Sequence, residues 1–243
     1  LTALTFIKSA GIKSAGIKSA GSKSAGEGGK FGMRDIDLAA LLCSRLCHDL
    51  VSPVGAMANG VEILAEEQDE DMRTEVIKLL EHSARQTSNR LQFFRMAFGA
   101  GAGFGQMVGL RDAEKAVVAY FDGSRVSVDW QPKVTEVRKE ALKVMLNLIL
   151  VAGEAIIRDG KLVVTAGAGP DGLRREVRAE AERLTISEQM VSALKGEIEL
   201  SALDSKTAPA YLATQAAGDL GGRIELDLVD PKSYSLRLLA PEI

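Results

Sequence analysis

Histidine is scarce in this 243-residue chain, which has two, His48 and His82. Imidazole-and-thiolate zinc sites need about four ligands and a Ser-His-Asp hydrolase needs one well-placed ring, so both classes have few candidates. Cysteine is equally rare. Cys43 and Cys47 lie four apart in a helical pattern, where side chains leave in parallel; that disfavours a disulfide and leaves core or reactive thiols of a reducing cytoplasm. No run of about 18 uncharged apolar residues exists to cross a bilayer. Positive charge is short as well. The net charge is −3, but residues 1–32 carry five lysines against the single acid Glu27, so the remainder has 25 basic and 32 acidic residues, a net of −7. A body that acidic lacks the clustered cations that phosphate contacts require, which argues against nucleic acid as a partner. With 46% hydrophobic residues and a mean hydropathy near zero, the expectation is a soluble, folded, cytoplasmic protein without a membrane segment.

Residues 7–26 read IKSAG, IKSAG, IKSAG, SKSAG. A period of five is too short for a solenoid and offers no apolar face, so residues 1–32 read as a low-complexity, non-native leader outside the fold. From Asp35 the pattern turns helical. Leu38, Leu42, Leu46, Leu50, Val54, Met57, Val61 and Leu64 recur at steps of four and three, which predicts a helix of about 30 residues. After a polar, acidic turn at 68–71, Met72, Val76, Leu80, Ser83, Thr87, Leu91, Phe94 and Phe98 form a second stripe. Two long helices joined by a short turn pack antiparallel. A lone hairpin cannot cover both stripes, and a second copy of the chain completing a four-helix bundle is the simplest remedy.

The glycine-rich stretch 99–105 separates this hairpin (33–98) from a region of mixed periodicity (106–243). The pattern predicts a helix over 110–121, a strand over 125–130 and a helix over 139–157. Strands over 161–166 and 173–181 follow, then a short helix from Ser187, a helix over 209–220, and a closing hairpin of 223–229 with 234–239. The glycines of 166–170 read as a tight turn, and 230–233 as the last one. The class is helices on a mixed sheet.

His48 points opposite the middle of the apolar stripe, so its ring faces water. Ser44, Arg45 and Ser52 lie one turn away on that face, with Gly55 and Asn59 further along. All but Arg45 are small, which lets another protein approach the ring, and Arg45 stands to neutralise an anion placed on it. An ordinary solvated histidine is the plain alternative. Pro53, five residues on, removes the helical bond to the Asp49 carbonyl and kinks the helix at a cost of about 3 kcal/mol or more, a cost that suggests function.

His48-Asp49-x-x-x-Pro53 resembles the phosphoacceptor box on the first helix of the dimerisation and histidine-phosphotransfer (DHp) domain of sensor histidine kinases. Leu146-Asn147-Leu148 resembles the helix that carries their ATP-binding asparagines, but the second asparagine falls on Val151. No D-x-G-x-G box appears, and 204–210 replaces the glycine-rich phosphate loop. Without glycine-opened amides or the metal-holding asparagine, a triphosphate has no cradle. Kinase order with a defunct nucleotide site, together with the strings 44–49 and 91–99, resembles the dimeric ChpT-type histidine phosphotransferases of bacterial cell-cycle phosphorelays.

That resemblance implies a DHp-like helical hairpin forming a dimeric four-helix bundle, followed by a Bergerat-type, histidine-kinase ATPase-like α/β sandwich without a nucleotide site. It further implies that His48 takes phosphate from a receiver-domain aspartate of a hybrid histidine kinase and passes it to response-regulator receivers. Asp49 stands to orient the ring or accept its proton. The protein needs no cofactor of its own, because magnesium comes with the receiver. An active kinase fragment and a non-catalytic dimeric scaffold are the competing readings. His82-Ser83-Ala84-Arg85-Gln86 matches the box of monomeric phosphotransfer domains only in part, and His82 reads as a surface residue.

Overall fold

The computed structural model describes residues 35–99, 105–169, 172–230 and 232–241. The expected leader, and the glycine-rich stretch apart from its two ends, lie outside them. Helices α1 (Asp35–Glu66) and α2 (Glu70–Phe98) form the hairpin. Asp69 caps α2 by accepting the Met72 amide at 2.9 Å, and Glu70 and Asp71 sit in its first turn, where a helix N-terminus favours negative charge. Arg73 then donates to the carbonyls of Leu64 and Glu67, both at 2.9 Å, satisfying the open end of α1. Gly60 lets the helices close: a Cβ there would lie 2.8 Å from Leu80.

The apolar stripes of the sequence divide between two faces. Leu42, Leu46, Met57 and Leu64 of α1 are half-buried and Val76 of α2 is buried, whereas Val51, Val54 and Val61 of α1 and Met72, Ile77 and Leu91 of α2 stay exposed. Lower down, α2 enters the main core. Phe93, Phe94 and Ala97 are fully buried there in a cluster shared with α3 (Leu110–Phe121) and α4 (Lys139–Ala155). The exposed thiols of Cys43 and Cys47 exclude their expected core alternative.

Strands β2 (Val126–Pro132), β4 (Gly160–Gly169), β5 (Gly172–Ala181), β6 (Arg223–Asp230) and β7 (Ser233–Ala240) make a sheet of order β2-β4-β5-β7-β6. Its β2–β4 pair is parallel and the others antiparallel. Period-2 burial explains its two faces: Leu162, Val164, Val177, Leu236 and Leu238 point under α4 and α6 (Ala208–Asp219), while Glu176 meets Arg174 and Arg237 on the open side. A separate two-stranded pair, β1 (Met107–Gly109) with β3 (Glu136–Arg138), and a single turn of 3-10 helix at Leu200–Ala202 carry no periodicity and were not expected. The glycines read as a turn over 166–170 are strand up to Gly169, paired with β5 down to Gly172. Helix α5 (Glu188–Lys195) starts on a Ser187 cap and stops at Gly196 in the left-handed region. The fold is a helical hairpin followed by an α/β layer. Among the described residues no helix is long and apolar enough to cross a membrane.

Candidate functional site

His48 sits on the outer face of α1 with its side chain 75% exposed. Ser44, Ser52, Gly55 and Asn59 share that exposure, and a Cβ built on Gly55 would meet nothing within 4 Å. The ring therefore rises from a row of small side chains that leaves room for a partner's surface.

Helix α1 runs through Pro53, which is buried. Proline has no N–H, so the carbonyl of Asp49 loses its helical partner. Arg90 of α2 donates its Nη1 to that oxygen. The proline thus creates an acceptor one residue from His48, and the second helix fills it.

The Asp49 side chain is 12% exposed and its two oxygens face different ways. Oδ1 lies 3.2 Å from Nδ1 of His48. Oδ2 accepts from the hydroxyl of Tyr120 at 3.0 Å and from Arg45 at 3.3 and 3.4 Å. A carboxylate only accepts, so the first contact is favourable when Nδ1 carries the proton, and in the neutral ring the lone pair is then on Nε2. Tyr120 lies in the last turn of α3 with its ring packed on Phe93, Phe94 and Phe121 at centroid distances of 4.4, 5.8 and 5.0 Å. Burial, and after it the charge of Asp49, pushes its phenol above the ordinary range, with Arg45 opposing.

Arg45 departs from expectation. Its side chain is 7% exposed, and its Nη1 is bonded to Glu154 of α4. Helix geometry alone put it beside the ring on the water side, but α3 and α4 cover that flank of α1, and the guanidinium turns toward the two carboxylates. It is consequently not placed to meet an anion on His48. Arg45, Asp49, Arg90, Tyr120, Leu150 and Glu154 line an open cleft of about 270 Å³, so the site draws on four helices.

The region around Asn147 and residues 204–210 is built differently. Asn147 is fully buried and donates to the carbonyls of Ala97 and Lys143 at 3.1 and 2.8 Å, serving the join between α2 and α4 rather than a ligand. Val151 lines a cleft of about 540 Å³ with Glu154, Ser187, Asp204, Lys206 and Thr207. Asp204 is already engaged, accepting from the Thr207 amide and hydroxyl and the Lys206 amide at 2.8 to 2.9 Å. Partial burial opposes its ionisation, yet the Thr207 and Lys206 bonds hold it below the usual carboxylate range. No group of three or more potential metal-ligating side chains occurs among the described residues. His82 is exposed on α2.

Three residues of the cluster escape sequence reasoning. Arg90 had one readable signal, the acceptor freed by Pro53. Tyr120 and Glu154 had none, since each lies in a different helix, more than 70 residues from its partner, and Tyr120 meets Asp49 and Glu154 meets Arg45 only through tertiary packing.

Residues 110–232 match the sequence profile of the histidine phosphotransferase C-terminal domain. The chain is 33% identical over 192 residues to the protein phosphotransferase ChpT of Brucella abortus, covering 79% of this chain and 90% of that one. A solved bacterial phosphotransferase superposes with a TM-score of 0.74 at 29% identity, covering 86% of this chain and 98% of that one. The histidine kinase domain of a blue-light-activated kinase from Erythrobacter litoralis aligns at 13% identity and a TM-score of 0.44, over 85% of this chain and 93% of that one.

Proposed function

This chain belongs to the histidine phosphotransferase family, and from that premise we propose that His48 is the residue that carries the phosphoryl group. The observation behind this reading is the pairing of a 75% exposed ring with a largely buried carboxylate on its Nδ1. Held so, Nε2 presents its lone pair outward. It attacks the phosphorus of an aspartyl phosphate on a receiver domain; the P–N bond forms, the P–O bond to the aspartate breaks, and the receiver recovers its carboxylate. The reverse displacement, by the aspartate of a second receiver, returns the free ring. Magnesium enters with the receiver's own acidic pocket. The donor in this reading is the receiver of a hybrid histidine kinase, and the acceptors are response regulators.

Two further elements complete the proposal. The exposed apolar rows of α1 and α2 pack against a second copy in a four-helix bundle, which supports a homodimer. Ser44, Ser52, Gly55 and Asn59 form the floor on which the receiver lands, and the α/β layer serves docking instead of ATP hydrolysis. Incubation with a phosphorylated receiver tests the reading. Label should pass to the protein in an acid-labile, base-stable form; His48→Ala should abolish uptake with the dimer intact, and His82→Ala should leave it unchanged. Normal uptake by the His48→Ala protein refutes it.

A further inference from the structure

We propose that Tyr120, contributed by the α/β layer, is a positioning residue for phosphoryl transfer at His48, acting through Asp49. The inference deepens the reading of His48 as phosphoacceptor and rests on it. The geometry is a relay of two contacts through one carboxylate: the Tyr120 hydroxyl on Oδ2 at 3.0 Å, and His48 Nδ1 on Oδ1 at 3.2 Å.

The two donors on Oδ2 are not equivalent. Arg45 approaches it at 3.3 and 3.4 Å and is shared with Glu154, which draws its guanidinium away. Tyr120 has no such freedom. Its ring is wedged among three phenylalanines, and the helix end that bears it is pinned to α2, where Asn89 Nδ2 donates to the Ala119 carbonyl at 3.1 Å. A rigid phenol therefore fixes where Oδ2 sits, and the planar carboxylate then fixes Oδ1. Lacking the hydroxyl, Asp49 is free to rotate toward Arg45, and His48 Nδ1 loses its acceptor. The ring would then populate the other neutral tautomer, with the proton on Nε2 and no lone pair facing the incoming phosphorus. Since α3 carries Tyr120, the seating of the α/β layer on the hairpin is transmitted to the ring through this hydroxyl.

The chain's two histidines make a direct measurement simple. The protein labelled with nitrogen-15 at histidine, with His82→Ala for assignment, reports the tautomer of His48 at a pH where the ring is neutral. The wild type should show Nδ1 protonated. In Tyr120→Phe, which keeps the ring packing, the two nitrogen shifts should converge, and the transfer kcat from a phosphorylated receiver should fall about tenfold, the worth of one hydrogen bond to a charged group. KM for the receiver should not change, because the ring packing is kept and the hydroxyl that is removed is turned onto Asp49. Asn89→Ala, which releases the end of α3 without altering the phenol, should shift the tautomer in the same direction and serves if Tyr120→Phe does not fold. A wild-type ring protonated on Nε2 overturns the inference. So do variants with wild-type tautomer and kcat, or a loss confined to KM. His48→Ala separates the two levels: if it still accepts phosphate the phosphoacceptor reading has failed, whereas if it is inert and Tyr120→Phe behaves as wild type only the role of Tyr120 has.

Discussion

Replacing Arg45 by methionine separates a structural clamp from a phosphate contact, because the substitution keeps most of the stem and removes the guanidinium. In the fold that group is 7% exposed between Asp49 at 12% and Glu154 at 31%. Breaking a fully buried pair costs about 3–5 kcal/mol through the charge left behind. Neither carboxylate here is left so badly. Glu154 reaches water and its share approaches the ~0–1 kcal/mol of a surface pair; Asp49 keeps the Tyr120 hydroxyl and loses a charge-assisted contact of about 1.5–3 kcal/mol. The expected loss is therefore ~1.5–4 kcal/mol. Urea unfolding at a fixed protein concentration, so that any dimer contributes equally, measures it. A double-mutant cycle with Glu154→Gln should return a coupling of about 0.5–3 kcal/mol. Unchanged stability with a raised KM for the receiver would refute the clamp and return Arg45 to the partner's surface.

Val61→Asp or Leu91→Asp should yield monomers in sedimentation without unfolding the chain, since both positions are exposed in the single copy and an unpaired carboxylate costs several kcal/mol only once a partner helix buries it; an intact dimer would contradict the bundle. Calorimetry with ATP and magnesium should show no heat of binding, because Asn147 is fully buried with its Nδ2 held by the Ala97 and Lys143 carbonyls and Val151 stands where a second asparagine is expected, and micromolar binding would restore the kinase alternative. At alkaline pH, burial, joined at Tyr120 by the charge of Asp49, holds the phenols of Tyr120 and Tyr234 above their ordinary value. The stability this provides is full below a pH of about 10 and is lost as pH rises through the higher folded values, so denaturant midpoints should fall there, and fall less in Tyr120→Phe. A midpoint independent of pH in that window would count against both environments.

The long helices were legible because 3.6-residue periodicity persists over 32 and 29 residues, and no competing pattern interrupts it. Sheet strands were placed within a few residues; β4 ran past its expected end because Ala166, Gly167, Ala168 and Gly169 pair with Arg175, Arg174, Leu173 and Gly172, and small residues do not forbid pairing. Short β1 and β3 are held by each other, not by an alternation that three residues cannot display. At the site, the exposed row of Ser44, His48, Ser52, Gly55 and Asn59 follows from helix geometry alone. Arg45 does not. A helical wheel knows angles about one axis, whereas the direction of a long charged side chain is decided by the carboxylates its neighbours bring, here Glu154 from 109 residues away. Tyr120 was hidden for the same reason, its hydroxyl being indistinguishable in sequence from one more ring on an apolar stripe.

Locating the phosphoryl group is the most direct test of the account. The protein is mixed with a phosphorylated receiver, digested under alkaline conditions that preserve phosphoramidates, and its peptides are fragmented by mass spectrometry. The added phosphate should map to His48, with His82 unmodified. Phosphate on His82 or on any other residue, with His48 bare, would contradict it.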